Sequence, residues 1–123
     1  MKNDISVMVL DDEPIVGERL QPVLEKAGFR VEVFTDSQKA LTRLGEKNFQ
    51  VVVTDLKMSG PSGLDVLRFL KDQQKDTEAI VITGYATIER AREAEFLNAK
   101  FVTKPFKLEE IVKLVEKAAK KYK

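Results

Sequence analysis

Apolar runs and amphipathic stretches alternate along this chain. The runs are short and rich in β-branched residues, as in strands that are buried on both faces of a sheet. Each run ends at a polar, acidic or turn-forming position. The pattern predicts five strands, at Ile5–Leu10, Phe29–Val33, Phe49–Thr54, Ala79–Thr83 and Ala99–Thr103.

The segments between the runs have apolar residues at three- and four-residue steps, which is typical of amphipathic helices. One helix is predicted after each strand. The first begins at Pro14 and stops at Gly28, and Asp36 or Ser37 caps the second. The third continues from Leu64 after a loop over residues 58–63, the fourth covers residues 86–97, and the last covers residues 108–119.

Alternating strands and helices favour an α/β fold with a parallel sheet. Every connection is long enough for a right-handed crossover, so we expect a doubly wound five-stranded sheet with helices on both faces. One common order for five such units is 2-1-3-4-5, a flavodoxin-like (βα)5 arrangement. At 123 residues, the chain is expected to form a single domain.

Composition excludes several kinds of chemistry. The chain has no cysteine and no histidine, which excludes disulfides, thiolate metal sites, Ser-His triads and imidazole proton shuttles. Its formal charge is only +1, and lysines near the end of the last helix fit its dipole, so we expect no direct nucleic-acid binding. No apolar run approaches the roughly 18 residues of a membrane span, so a cytoplasmic protein without membrane contact is expected.

Five polar residues lie at the carboxyl ends of the predicted strands, the edge where ligands bind in such sheets. They are Asp11, Asp12, Asp55, Thr83 and Lys104. Each acid alone is typical of a helix or loop cap, but three carboxylates in one place need a cation, and oxygen ligands suit Mg²⁺. With Lys104 nearby, the pocket could accept a phosphoryl group, with Asp55 as nucleophile and Thr83 as hydroxyl donor.

These residues resemble the receiver domain of bacterial two-component response regulators. The matching pattern is Asp11-Asp12-Glu13, Asp55 with Met58 and Gly63 after it, Thr83-Gly84-Tyr85, and Lys104-Pro105-Phe106. The resemblance extends from about Ile5 to Ala119. Around Thr83 to Phe106 the chain is also similar to receivers of transcriptional activators of the nitrogen-regulator class.

The resemblance implies a phosphoacceptor switch rather than an enzyme with a separate substrate. Asp55 would take a phosphoryl group from the phosphohistidine of a sensor histidine kinase, and the protein would catalyse only its own phosphorylation and dephosphorylation. Mg²⁺, or Mn²⁺, would bind to Asp12, Asp55 and the backbone carbonyl of Lys57, with Asp11 acting through water. Thr83 and Lys104 would contact the phosphoryl oxygens, and the bond between Lys104 and Pro105 would be cis.

The resemblance also implies a change of surface. Thr83 would move toward the phosphoryl group and Phe101 would turn inward, which would reshape the surface of the fourth predicted helix, the fifth strand and the last helix. That surface would serve a homodimer, and an effector domain or downstream protein would read the change. Such a switch biases two existing packings by a few kcal/mol.

The chain departs from the family pattern at several positions. Ser59 stands where a proline usually follows Met58, Asn98 stands where a glycine is usual, and Phe101 lacks the hydroxyl of the commoner tyrosine. Lys57 and Tyr85 occupy variable positions that tune phosphoryl lifetime in the family. A bulky Tyr85 would hinder the attacking water, so slow self-dephosphorylation is expected.

Two alternative functions share parts of this pattern. A flavodoxin-like cofactor carrier needs a loop of hydroxyls and backbone amides after the first strand, where this chain has three acids. A phosphatase of the aspartyl-phosphate type shares the nucleophile, Mg²⁺, hydroxyl and lysine, but its usual Asp-x-Asp is absent because Lys57 stands two residues after Asp55.

Overall fold

Five parallel strands form one sheet in the order β2-β1-β3-β4-β5. The computed structural model describes residues 4–56, 60–73, 76–84, 92 and 99–122. The order confirms the predicted doubly wound topology, which puts β1 and β3 next to each other at the switch point. The strands are β1 (Ser6–Leu10), β2 (Arg30–Phe34), β3 (Val51–Asp55), β4 (Glu78–Thr83) and β5 (Ala99–Thr103).

Helices pack on both faces of the sheet. The described helices are α1 (Pro14–Lys26), α2 (Ser37–Glu46), α3 (Gly63–Asp72) and α4 (Leu108–Ala119), and a 3₁₀ turn at Lys120–Tyr122 follows α4. The predicted helix over residues 86–97 lies, apart from Arg92, outside the described residues.

The core consists of two layers because side chains alternate across each strand. Val9 and Val53 pack with residues of α1 and α4 on one face of the sheet. Met8 and Val52 pack on the other face with residues of α2 and α3. Both faces of the central strands are therefore covered, which is why their sequences are nearly continuous apolar runs.

Local sequence signals set the ends of the helices. Asp36, rather than Ser37, caps α2 by accepting a 3.0 Å hydrogen bond from Lys39 N. Ser62 and Asp65 form a capping box at the start of α3. After α1, Gly28 has a φ of 103°, a conformation that glycine adopts without steric penalty.

Several predicted boundaries shift by one or two residues. Phe49 and Gln50 precede β3, and Asp55 is its last residue rather than the first residue beyond it. Phe49 is buried in the α2–α3 layer without belonging to the strand, so apolar patterning alone could not exclude it. Gly63, predicted as loop, is the first residue of α3 because Ser62 caps that helix.

Candidate functional site

The loop after β1 places the first acidic residues at the carboxyl edge of the sheet. Asp11 N donates a 3.1 Å hydrogen bond to Phe34 O of β2, which anchors the loop to the neighbouring strand. Asp11 is buried, and its Oδ1 accepts a 2.9 Å hydrogen bond from Glu13 N. The next residue, Asp12, is exposed. One carboxylate is thus fixed inside the edge and another lies at its surface.

Asp55 ends β3 at the same edge and is 5% exposed. The backbone beside it is held by a 2.9 Å hydrogen bond from Gly63 N to Leu56 O. The start of α3 lies so close that a Cβ atom on Gly63 would meet Asp55 O at 2.1 Å. Only glycine fits at that approach, and the contact fixes the position of Asp55 relative to α3.

Three carboxylates meet between these loops. One oxygen from each of Asp11, Asp12 and Asp55 lies within 4.8 Å of the others. Asp11 Oδ2 is buried, and the Lys104 ammonium is its partner among the described residues. Three carboxylate oxygens grouped in this way fit a hard divalent cation such as Mg²⁺. The predicted backbone ligand, Lys57, lies outside the described residues.

Lys104 connects the acids of β1 and β3 to the end of β5. Its Nζ lies 2.8 Å from Glu13 Oε1, 2.9 Å from Asp11 Oδ2 and 3.1 Å from Asp55 Oδ2. Its backbone N donates a 2.8 Å hydrogen bond to Thr83 O, which ties β5 to the end of β4. The peptide bond between Lys104 and Pro105 is cis, as the resemblance implies.

The charges at this edge shift one another's titration. Burial alone would lower the pKa of the Lys104 ammonium, but its contacts with Glu13, Asp11 and Asp55 outweigh burial and raise that pKa. Burial raises the pKa of the Asp11 carboxyl, although Lys104 and the Glu13 backbone oppose the rise. The Lys104 contact lowers the pKa of the Glu13 carboxyl. A positive charge therefore persists at the edge through neutral pH.

The two predicted switch residues lie on neighbouring strands. Thr83 ends β4 and is fully buried, and its register partner on β5 is Thr103. Phe101, also on β5, is partly buried against a cluster that includes Leu56 and Leu67. The structure thus brings Thr83 to the acidic edge and Phe101 to the packed layer beside α3. The predicted tuning position Tyr85 and the atypical residues Ser59 and Asn98 lie outside the described residues.

The sequence did not indicate what Glu13 contacts. In the sequence Glu13 is only the third acid of the loop after β1, yet its carboxylate makes the shortest of the three Lys104 ion pairs. Its place directly after the two aspartates was the available signal. Backbone spacing could not show which long side chain would reach the ammonium.

The chain belongs to the response regulator receiver domain family. The family model for this domain matches residues 7–116, which include every described element of the site. The function predicted from the sequence, that of a receiver domain in two-component signalling, is supported by this match and by the acidic cluster.

Curated relatives are transcriptional regulators. The chain is 34% identical over 113 residues to the transcriptional regulatory protein FixJ of Bradyrhizobium diazoefficiens, covering 91% of this chain and 55% of that protein. It is 32% identical over 117 residues to the C4-dicarboxylate transport transcriptional regulatory protein DctD of Rhizobium meliloti, covering 94% of this chain and 25% of that protein. The chain therefore spans between a quarter and about half of these relatives.

A solved structure supports the fold over the whole chain. The solution structure of the beryllofluoride-activated NtrC4 receiver domain dimer matches with a TM-score of 0.88 and 30% identity, covering 100% of both chains. Among the helices of the described residues, none has both the length and the apolar character that a membrane crossing requires.

Proposed function

We propose that Asp55 is the phosphoacceptor of a two-component signalling switch. The observation that carries this proposal is the position of the Lys104 ammonium, 3.1 Å from Asp55 Oδ2 and 2.9 Å from Asp11 Oδ2. The donor is the phosphohistidine of a sensor histidine kinase. An Asp55 oxygen forms a bond to phosphorus while the phosphorus–nitrogen bond breaks, and the imidazole leaves with that electron pair. A carboxylate is already ionised, so this step requires no general base.

The other residues at this edge of the sheet bind the phosphoryl group and the metal ion. Lys104 pairs with phosphoryl oxygens, and the Thr83 hydroxyl donates a hydrogen bond to another. Asp12, Asp55 and the Lys57 carbonyl hold Mg²⁺ or Mn²⁺, with Asp11 acting through water. When bound, the metal ion neutralises these carboxylates and the incoming phosphoryl group. The grouping of one oxygen from each of Asp11, Asp12 and Asp55 within 4.8 Å supports this assignment.

Phosphorylation of Asp55 changes the surface formed by the predicted helix over residues 86–97, β5 and α4. Thr83 shifts toward the phosphoryl group and Phe101 turns into the space behind it. Phe101 is only partly buried against the cluster that includes Leu56 and Leu67, so complete packing does not fix its ring in place. We propose that this surface forms a homodimer, a proposal supported by the dimeric NtrC4 receiver among the structural relatives.

The protein acts through partners rather than by turning over a substrate. Residues 1–123 form one receiver domain that catalyses only its own phosphorylation and dephosphorylation, at a rate tuned by Lys57 and Tyr85. An effector domain or a downstream protein reads the change, as the transcriptional relatives suggest. Residues 1–123 contain no histidine, so the phosphohistidine that donates the phosphoryl group lies outside them. The predicted cytoplasmic location is part of the same proposal.

Acetyl phosphate labelling tests the proposal. The purified chain is incubated with acetyl phosphate and Mg²⁺, and covalent phosphoryl addition is followed by intact-mass spectrometry. Labelling of one site per chain is expected, with loss in Asp55→Asn and in excess EDTA. Asp72→Asn, which changes an exposed aspartate at the end of α3, is the matched control and should label normally.

Two results would contradict the assignment. One is unchanged labelling in Asp55→Asn. The other is continuous turnover of a generic phosphate ester, which would favour the phosphatase alternative.

A further inference from the structure

Lys104 has three carboxylate partners, which differ in solvent exposure and in whether they belong to the candidate metal site. Asp11 and Asp55 belong to the group of three acids that can hold a metal ion, and their side chains are 0% and 8% exposed. Glu13 lies outside that group, and its side chain is 61% exposed. The ammonium therefore spans a buried pair of acceptors and one acceptor in solvent.

The ammonium and a divalent cation require the same oxygens. Lys104 Nζ is within 3.1 Å of both Asp11 Oδ2 and Asp55 Oδ2. Two cations that share acceptors at such distances repel each other strongly, and a partly buried site screens that repulsion poorly. An ion that enters the cluster therefore needs the ammonium to be held on another side.

There is space for the Lys104 ammonium on the side of the cluster where Glu13 lies. An open cavity of about 390 Å³ lies beside Lys104 and is lined by Glu13, Pro105 and residues of α1. Glu13 is the only carboxylate among the described lining residues, since the others are apolar or basic. Its backbone N is held by Asp11 Oδ1, so its side chain starts from a fixed point next to the cluster.

We propose that Glu13 is a positioning residue, which draws the Lys104 ammonium to the solvent side of the cluster and so leaves oxygens of Asp11 and Asp55 for a divalent cation. This inference rests on the proposed phosphoacceptor site, because it requires the same carboxylates to bind the ion. Glu13 itself binds neither the ion nor the phosphoryl group. Its effect on the ion passes through Lys104.

A double-mutant cycle on metal affinity tests this route. Mg²⁺ alone is titrated by calorimetry, at constant ionic strength, into the wild type, Glu13→Gln, Lys104→Met and the double variant. We expect Glu13→Gln to raise the Kd for Mg²⁺ by roughly threefold or more when Lys104 is present, as contacting residues usually couple. In the Lys104→Met background, the same change should alter the Kd by less than about twofold.

Controls separate this route from simple loss of charge. Glu18→Gln removes an exposed carboxylate from α1, the helix that begins directly after Glu13, and should leave the Kd unchanged. Thermal unfolding checks that each variant folds, and Lys104→Gln replaces Lys104→Met if the latter does not. An equal rise in Kd in both backgrounds would mean that Glu13 acts through its charge alone and would overturn the inference. No rise in the Lys104 background, or no Mg²⁺ binding by the wild type, would also overturn it.

Acetyl phosphate labelling distinguishes failure of the proposed function from failure of the Glu13 proposal. A wild type that shows the coupling but is not labelled by acetyl phosphate would refute the phosphoacceptor role and leave the Glu13 role standing. A wild type that is labelled but shows no coupling would refute only the Glu13 role.

Discussion

Gly63 approaches Asp55 so closely that a Cβ atom on Gly63 would lie 2.1 Å from Asp55 O and 2.9 Å from Leu56 Cα. Both neighbours are backbone atoms at the end of β3, so no side-chain rotation can relieve the contact. The start of α3 and the candidate phosphoacceptor are therefore positioned together.

Replacing Gly63 with alanine should disturb both stability and the site. We expect Gly63→Ala to lower the free energy of unfolding by about 1–3 kcal/mol, as overpacking typically does, and to slow acetyl phosphate labelling of Asp55. Urea unfolding and intact-mass spectrometry measure the two effects. Gly45→Ala is the matched control, because a Cβ there meets nothing within 4 Å, so this variant should lose no stability and label normally. A fully stable, normally labelled Gly63→Ala would contradict the constraint.

A second close approach joins α1 to β2. A Cβ on Gly17 would meet Val33 Cγ1 at 2.2 Å, but here the neighbour is a side chain that can be shortened. We expect Gly17→Ala to destabilise the protein by about 1–3 kcal/mol and Val33→Ala to restore part of that loss in the double variant. Urea unfolding of the four proteins gives the coupling energy. Purely additive effects would show that α1 moves away without meeting Val33.

The edge strand β2 carries a charge pair whose contribution depends on pH. Arg43 Nε donates to Glu32 Oε1 at 2.8 Å and Nη2 donates to Oε2 at 3.0 Å, and this pairing lowers the pKa of the Glu32 carboxyl below its ordinary value of 4.5. A lowered folded-state pKa stabilises the fold above the unfolded-state pKa. That stabilisation is lost as the pH falls through the folded-state value.

Glu32→Gln should therefore be less stable than the wild type at pH 7, and the difference should shrink as the pH falls below about 4.5. Urea unfolding between pH 7 and pH 3 measures it. Glu46→Gln is the control, since Glu46 also contacts Arg43 but is 60% exposed, and it should change stability little at pH 7. A difference in the free energy of unfolding that grows as the pH falls would contradict this prediction.

A hydrogen bond and an ion pair connect the turn after α4 to the segment before β4. The Tyr122 hydroxyl donates to Asp76 O, and Lys121 Nζ lies 2.5 Å from Asp76 Oδ1. Tyr122→Phe should lower the free energy of unfolding by about 1 kcal/mol because it leaves that carbonyl without this donor. Asp76→Asn keeps the carbonyl and removes only an exposed ion pair, so it should have a smaller effect in the same urea assay. A larger loss in Asp76→Asn would reverse this ranking.

The sheet could be predicted from sequence because its central strands are buried on both faces, which leaves runs such as Val51–Val53 that few other structures explain. The site followed from topology, since the carboxyl ends of β1, β3, β4 and β5 meet at one edge. Individual contacts between residues of separate elements could not be predicted. The pattern does not show that Glu13 reaches Lys104, or that Gly17 touches Val33, because both depend on how closely separate elements approach.

Tyr122 lies at the end of the sheet opposite to the candidate site. It meets Asp76 just before β4 begins, whereas Asp55 and Thr83 lie where β3 and β4 end. The six residues of β4, at about 3.3 Å each, separate the two ends by roughly 20 Å. A chemical event at Asp55 thus has no direct contact with the end of α4. A response at that end would therefore require a shift relayed along β4, β5 or α4.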